Sequence, residues 1–257
     1  MPKKKFDDSK FDSVTPESAY WIGFLAADGC VSTCKGTHRV SLGLQLADED
    51  HLEQFRQFLS SSNSIRLRPD INRCSISVAS RHMAERLKAY GVCPRKSKSL
   101  KAHYSLVEDR DFWRGIVDGD GHLRVDKKNR IILDVCGAKQ CMQQYLTFCK
   151  NVYPTNASVR KHCSIFKVTL CSNAAYAVIK RLYQDAITAL ARKRRIAEHI
   201  IANKETLCPG FRKLTSLQAQ TIRKEWRPGL LKKMTAQYAV CSATIWNVVN
   251  YKTFKRV

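Results

Sequence analysis

Asp28 and Asp120 hold the same place in two near-copies of one nine-residue word. The copies are Trp21-Ile-Gly-Phe-Leu-Ala-Ala-Asp-Gly29 and Trp113-Arg-Gly-Ile-Val-Asp-Gly-Asp-Gly121. The tryptophan, the first glycine, the aspartate and the closing glycine recur in register; the positions between are apolar or small apart from Arg114 and Asp118. A repeat of this kind argues for one structural unit used twice, each copy delivering an acid from the same place. A single Asp-Gly is an ordinary helix-ending turn. Two in one apolar frame bring two carboxylates together, where they repel each other. A hard divalent cation relieves that repulsion, so the chemistry these residues point to is metal binding by paired acids.

The flanking residues say how the acids are positioned. Thr15-Pro16-Glu17 is a helix start, with a hydroxyl cap, a proline at the first helical position and an acid in the first turn. About three turns of apolar residues follow to Ala27. Gly23 and Ala27 share a face, as do Gly115 and Gly119, so two such helices can approach backbone to backbone. Small residues at this spacing also mark helix pairs in membranes, but each apolar run is far short of the ~20 residues a span needs. Gly29 and Gly121 are expected to stop the helices. That leaves each acid in a last turn, where the helix dipole prefers a cation. Asp118, two positions before Asp120, points elsewhere on the helix and stays outside the metal site.

Composition supplies the partner. The 257 residues hold 44% hydrophobic side chains, enough for a core, and 45 Lys and Arg against 22 Asp and Glu, a formal charge of +23. That excess points to a polyanion: nucleic acid first, a membrane surface second. Neither a transmembrane run nor a signal peptide is visible, and the Lys3-Lys4-Lys5 start reads as a basic tail, so an intracellular protein is expected. The 11 cysteines lack framework spacing and read as reduced, small apolar residues. Cys30, Cys34 and His38 recur at intervals of four, but zinc usually takes four ligands with a paired Cys-x-x-Cys, which is not found here.

Beyond Gly29, Val40, Leu42, Leu44 and Leu46 alternate with Ser41, Gly43 and Gln45 as in a half-buried strand. Asp48 is placed to cap a helix carrying Leu52, Phe55 and Leu59. Two short strands follow, with Ile65 and Leu67, then Cys74, Ile76 and Val78, facing the core. Ser80 is placed to cap a helix closed by Gly91. The second copy repeats the order: strands at Leu123–Val125 and Ile131–Val135, a helix near 138–151, strands near 157–161 and 164–170, and a helix opening at Ser172. The fold class is α+β, two tandem αββαββα halves with pseudo-two-fold symmetry and antiparallel hairpins. The expected boundaries are a basic tail at 1–14, halves at 15–91 and 111–203, a linker at 92–110 and a tail at 204–257. The strands' polar faces are basic. Arg66 with Arg68, Arg124 with His122, and Lys167 with Thr169 share faces, and Ser75, Gln45 and the arginines could read base edges in a major groove.

Residues 15–203 resemble the LAGLIDADG homing endonucleases, in particular the single-chain, two-motif branch. The resemblance implies two motif helices packed between the halves, a sheet from each half in the DNA major groove, and Asp28 and Asp120 holding Mg²⁺, with Mn²⁺ a substitute. Carbonyls of Ala27 and Gly119 would assist, and both strands would be cut across the minor groove to leave 3′ overhangs. Gly91-Val-Cys-Pro-Arg-Lys-Ser97 resembles the family's Pro-Arg-Lys-Ser element and Ala191-Arg-Lys-Arg-Arg195 the matching helix. This makes Lys96 and Lys193 the basic residues at the two cuts, with Arg192 or Arg194 able to substitute for Lys193. Gln45 falls where the family offers a polar residue to the water network, and Cys136 is its expected counterpart by strand alternation. A phosphodiester needs a water nucleophile, charge relief and help for the leaving oxygen, which metals between carboxylates provide.

After Cys208-Pro-Gly210, residues Leu214–Trp226, Leu231–Tyr238 and Ser242–Asn250 read as helices. Leu231, Met234, Tyr238, Val240, Ile245 and Val249 are spaced as in a helix-turn-helix. The tail resembles the small helix-turn-helix modules at the ends of phage and mobile-element nucleases and closes in Lys-Thr-Phe-Lys-Arg-Val. Thr235 and Ala239 depart from that pattern's alanine and turn glycine. Ser242, Thr244 and Asn247 would meet bases. The leading expectation is therefore a free-standing monomeric nuclease acting on double-stranded DNA. An intron maturase and a transcriptional regulator on the same scaffold are the alternatives. Both predict loss of Asp28, Asp120 or Lys96, and all three are present.

Overall fold

Helix α1 (Pro16–Ala27) starts where the sequence places it. The Thr15 hydroxyl accepts the Ser18 N–H, and the Ser18 hydroxyl accepts the Thr15 N–H, closing a capping box. The computed structural model describes residues 5–34, 36–94, 96, 99–127, 129–207 and 214–254. Lys3 and Lys4 of the basic start, Arg95 and Ser97 of the Pro-Arg-Lys-Ser element, the Cys208-Pro-Gly210 break and the last three residues lie outside them.

After α1 the first half runs β1 (Gly29–Cys34), β2 (Thr37–Gln45), α2 (Glu49–Phe58), β3 (Arg66–Arg68), β4 (Arg73–Ala79) and α3 (Arg81–Ala89). The second half runs α4 (Arg110–Asp120), β5 (Gly121–Val125), β6 (Ile131–Gly137), α5 (Lys139–Val152), β7 (Arg160–His162), β8 (Ile165–Cys171) and α6 (Ser172–Tyr183). Helices α7 (Ala191–Ala202) and α8 (Lys204–Leu207) follow. Each half folds a four-stranded antiparallel sheet, in the orders β1-β2-β4-β3 and β5-β6-β8-β7, so the same hairpin pairing is built twice. The alternation read from β2 and β4 holds: Val40, Leu42, Leu44, Cys74, Ile76 and Val78 are buried. Leu67 does not face the core; it is 45% exposed on an edge strand of three residues.

The halves meet through α1 and α4. A Cβ on Gly23 would fall 2.1 Å from the Phe112 carbonyl oxygen, and one on Gly115 would fall 2.1 Å from that of Tyr20. One on Gly119 would fall 2.3 Å from the Ala27 Cβ. Gly23 thus faces Gly115 and Ala27 faces Gly119; the helices run parallel and finish at the same end. Behind this contact each motif tryptophan anchors its own aromatic cluster. Trp21 lies 4.9 Å from Phe55 and 6.1 Å from Phe58, and Trp113 lies 5.3 Å from Tyr145 and 6.1 Å from Phe148.

Gly29 and Gly121 end the helices for a different reason than a left-handed cap. Neither has a positive φ; each opens a strand directly. A Cβ at Gly29 would come 2.6 Å from the Leu25 side chain, and one at Gly121 would come 2.4 Å from the Val117 carbonyl oxygen. Close approach, not handedness, requires glycine there.

The chain divides into two compact units, Met1–Cys208 and Pro209–Val257, and Leu207 of α8 is buried in the core of the first. The second unit contains α9 (Ser216–Glu225), α10 (Leu231–Gln237) and α11 (Ser242–Val249) around Leu214, Ala219, Ile222, Met234, Val240, Ile245 and Val248. Ala239, between α10 and α11, has φ +48°, a conformation that glycine would hold without strain.

The helix crossing sets the stability of the larger unit. Gly115→Val should lower its stability by about 3 kcal/mol or more, since only backbone movement can relieve the clash. Urea unfolding checks this, and a midpoint within error of wild type would show that the helices are not held this closely.

Candidate active site

Asp28 is the C-cap of α1 and Asp120 the last residue of α4, so the parallel crossing delivers both carboxylates to one end. Gly119 makes room for this: a Cβ there would sit 3.3 Å from Asp28 Oδ2. Both side chains reach solvent, yet the surrounding chain withholds enough water to raise both carboxyl pKa values. For Asp28 burial is the main cause, opposed by the charges of Lys193, Lys96 and Arg192. For Asp120 burial and then the neighbouring Asp28 charge push the pKa up to about 6, opposed by Lys96 and Lys193.

Two lysines close the helix ends. The Lys96 ammonium donates to the carbonyl oxygen of Gly29, the residue after the first acid. Lys193 donates to the Gly121 oxygen at 2.7 Å, the pseudo-symmetric atom after the second acid. It also donates to the oxygens of Val117 (2.7 Å), Asp118 (2.6 Å) and Gly119 (3.4 Å). Val117, Asp118 and Gly119 belong to the last turn of α4, where a cation is favourable. Lys193 is only 3% exposed. Burial pulls its pKa down to about 8, opposed by the Asp118 charge, so the ammonium stays protonated at neutral pH. The resemblance pairs these lysines but does not show this carbonyl binding, which holds Lys193 against the backbone and sets its ammonium near the Gly119 oxygen.

Gln45 ends β2 and donates to Asp48 Oδ2 at 3.0 Å. Asp48 occupies the N-cap position of α2 but makes no capping bond; its buried carboxylate instead accepts from Arg192 Nε at 3.1 and 3.2 Å. Cys136 is not the counterpart of Gln45. Gly29 pairs with Leu42 and Gly121 with Val135, and the third residue beyond each partner is Gln45 and Ala138. Alternation gives the face but not the count. Arg194 donates to the Ile187 oxygen at 2.9 Å.

The polar faces of the sheets lie where alternation predicts. Arg66, Arg68 and Ser75 line an open cleft of the first sheet with Arg39, Arg73 and Asp28. Arg68 pairs with Asp70 at 2.7 Å. In the second sheet Arg124 (2.6 Å) and Lys167 (3.2 Å) both pair with Asp134, which also accepts from Thr169 at 2.6 Å. Arg39, Arg73 and Asp134 did not stand out in the sequence, although their strand positions place them on these faces. Cys30, Cys34 and His38 lie on the β1–β2 hairpin, where His38 bonds Thr33 at 3.1 Å. Among the described residues no three His, Cys, Asp or Glu side chains gather as a metal site.

Asp118 turns inward, away from the paired acids. It accepts from Tyr20 (2.8 Å), Tyr183 (2.6 Å) and the Leu190 N–H (2.7 Å). Tyr20 gives its one hydroxyl proton to Asp118, so His51 Nε2, 2.9 Å away, must donate to the Tyr20 oxygen. Burial holds the His51 pKa at about 4, which keeps the ring neutral. Arg114, 1% exposed, donates to the oxygens of Thr188 and Leu182 and pairs with Asp111 at 2.6 Å. The two polar residues that break the second motif word are therefore internal ties between α4 and the chain around 182–190.

In the tail, Ser242 is exposed while Thr244 and Asn247 are half-buried. Trp246 is 46% exposed on the same helix with the Lys252 ammonium 4.5 Å from its ring, a feature that helical spacing alone does not single out.

Two pseudo-symmetric αββαββα halves, joined by motif helices that end in paired acids, define a class of double-motif α+β proteins. No family model and no curated protein matches the chain. Among solved structures, the LAGLIDADG meganuclease I-AabMI bound to uncleaved DNA matches at 12% identity and TM-score 0.53, over 82% of this chain and 97% of that one. The K262A mutant of I-SmaMI matches at 13% identity and TM-score 0.50, over 76% and 94%. The chain has the fold of the LAGLIDADG homing endonucleases.

The paired acids make a pH prediction. Asp120 has a folded pKa above the ~3.9 of an unfolded aspartate, so its protonated form favours the fold. That contribution is full below about pH 4 and is lost as pH rises through about 6. Asp120→Asn should therefore raise the urea midpoint at pH 7.5, by an amount reduced by the solvent reaching the carboxylate, and the gain should vanish by pH 4. Carboxyl NMR titration should also show Asp28→Asn lowering the Asp120 midpoint. An unmoved midpoint would mean that the two acids are not coupled.

Proposed function

We propose that this protein is a site-specific DNA endonuclease that makes a metal-dependent, staggered double-strand break in a long recognition site. The observation that carries the reading is the convergence of Asp28 and Asp120, flanked by Lys96 and Lys193, in a chain whose first sheet presents arginines on its polar face and whose second presents Arg124 and Lys167. The likeness to DNA-bound meganucleases supports the fold on which the reading rests.

Asp28 and Asp120 fit a hard divalent cation such as Mg²⁺. They are two oxygen ligands whose raised pKa values reflect burial and, for Asp120, a like charge, and a cation relieves both. When bound, such a cation lowers the pKa of water and withdraws charge from a phosphodiester. The carbonyls of Ala27 and Gly119 are the further oxygens proposed for it, with Lys193 competing at Gly119. The chain's own residues hold the rest in place. Lys96 and Lys193 fix the strand starts at Gly29 and Gly121, so the acids cannot drift apart, and they keep positive charge beside the reacting phosphates. Arg66, Arg68, Arg124 and Lys167 neutralise backbone phosphates, and Ser75 and Gln45 contribute polar groups to the DNA-facing surface. Because duplication supplies both acids within one chain, one copy suffices for two cuts.

Exposing a random-site plasmid library to the protein and Mg²⁺, then sequencing the ends, should yield one recurrent site with staggered ends. Asp28→Asn and Asp120→Asn should abolish cutting while retaining that DNA. Wild-type rates in either variant would remove the acids from the mechanism.

The tail, with ten Lys and Arg against the single acid Glu225 over residues 209–257, is proposed to bind DNA through the helix containing Ser242, Thr244 and Asn247. A chain ending at residue 208 retains the complete larger core. It should cut the same bonds with a shorter footprint and a shallower dependence of log affinity on log salt, by roughly 0.9 for each phosphate that the tail neutralises. An unchanged footprint would make the tail a module for something other than DNA.

A further inference from the structure

An open cleft of about 390 Å³ beside Asp28 is lined by Gln45, Asp48, Arg73, Gly119 and Arg192 as well as by Asp28 itself. Arg192 comes from α7 of the second half and reaches across to Asp48 of the first. The Asp48 carboxylate is buried; it binds Arg192 through Nε and takes a further bond from Gln45. Among the described residues the two terminal nitrogens of Arg192 make no hydrogen bond, and its side chain is half exposed on the cleft wall. An arginine held at Nε presents its remaining donors as a fixed fork, the geometry that takes two oxygens of one phosphate.

The second half cannot build the same anchor. Asp48 stands seven residues before Phe55, which packs on Trp21; seven residues before Tyr145, which packs on Trp113, stands Ala138. Sheet register also places Ala138 level with Gln45. The first half has the short turn Leu46–Asp48 between strand and helix, whereas Gly137 of β6 passes directly through Ala138 into α5. One buried alanine thus stands where the first half has both the amide and the acid.

We propose that Arg192, held by Asp48 and Gln45, forms a phosphate-binding subsite beside Asp28 whose anchor is absent beside Asp120, so that the two strands are cut through unequal sites. This rests on the endonuclease reading for its cutting half only; the phosphate contact stands on the geometry of Arg192. Asp48 and Gln45 are positioning residues here, because they act through the guanidinium.

The test starts from duplexes retained by the wild-type protein in a binding selection without metal. Phosphate-ethylation interference is then mapped for wild type, Arg192→Ala, Arg192→Lys and Asp48→Asn. Strand-resolved nicking of a supercoiled plasmid with Mg²⁺ follows. All three variants should lose interference at the same phosphate or adjacent pair on one strand. They should slow cutting of one strand on the order of ten- to a hundred-fold, so nicked circles accumulate while the other strand keeps its wild-type rate. Arg192→Lys keeps the charge without the fork and should not restore the interference. Interference unchanged in all variants, or abolished equally on both strands, overturns the proposal. So does equal slowing of both strands. If Asp48→Asn unfolds, the half-exposed Arg192 variants decide alone. Wild type that binds but never cuts would sink the nuclease reading and leave the interference map to judge the subsite; wild type that retains no duplex would sink both.

Discussion

The backbone contact between α1 and α4 is the constraint from which the rest of the molecule follows. Gly23 against Gly115 lets carbonyls of one helix approach the backbone of the other, and Gly119 against Ala27 continues the approach to the helix ends. No other residue type allows this distance, and at this distance the acids that follow must share one space. Aromatic clusters on Trp21 and Trp113 secure each helix to its own half. Fully burying an apolar side chain of this size contributes on the order of 2–3 kcal/mol, so each helix is held by its own half as well as by its partner.

Bringing two helix C-termini and two carboxylates together concentrates negative charge, and the chain answers with cations. Lys96 and Lys193 bind the carbonyls just beyond the acids, Arg192 adds a third positive group nearby, and the Asp120 pKa still lies near 6. Burial, more than the charge of Asp28, keeps the pKa of Asp120 raised against these cations. Deeper in, Asp118 and Arg114 use buried polar bonds to tie α4 to the chain around 182–190. Replacing one partner of such bonds leaves a buried group unsatisfied, so they fix one arrangement of the helix rather than add much net stability.

The pseudo-symmetry is close in the backbone and loose in the polar side chains. The two sheets have the same strand order, and each lysine meets an equivalent carbonyl. Yet Trp113 donates to the Val107 oxygen at 2.8 Å whereas the Trp21 indole N–H is buried without a partner among the described residues. The second sheet gathers its cations on Asp134, and the first leaves Arg39, Arg66 and Arg73 along an open cleft. Packing is shared because both halves must bury the same faces; polar groups are free to differ because each sheet faces outward on its own side.

The duplication, the acids, the small-residue helix faces and the strand alternation are legible in the amino-acid order, because each of these is written in local spacing. The capping box at Thr15, the Ser80 cap and the inward rows of β2 and β4 follow from periods of 3.6 and 2 and from which side chains can bond their own backbone. The resemblance placed Lys96 and Lys193 as a pair. Tertiary structure alone decided what those side chains touch. Asp48, which local rules make a helix cap, is drawn to an arginine from the other half; Lys193, expected as the basic residue at the second cut, is held by four carbonyls; and sheet register sets Ala138, not Cys136, level with Gln45. Leu67 is exposed on a three-residue edge strand, and Leu207 is buried in a core assembled from distant residues. Spacing records which face a residue occupies. Which partner waits on that face depends on segments far away in the chain, and only folding brings them there.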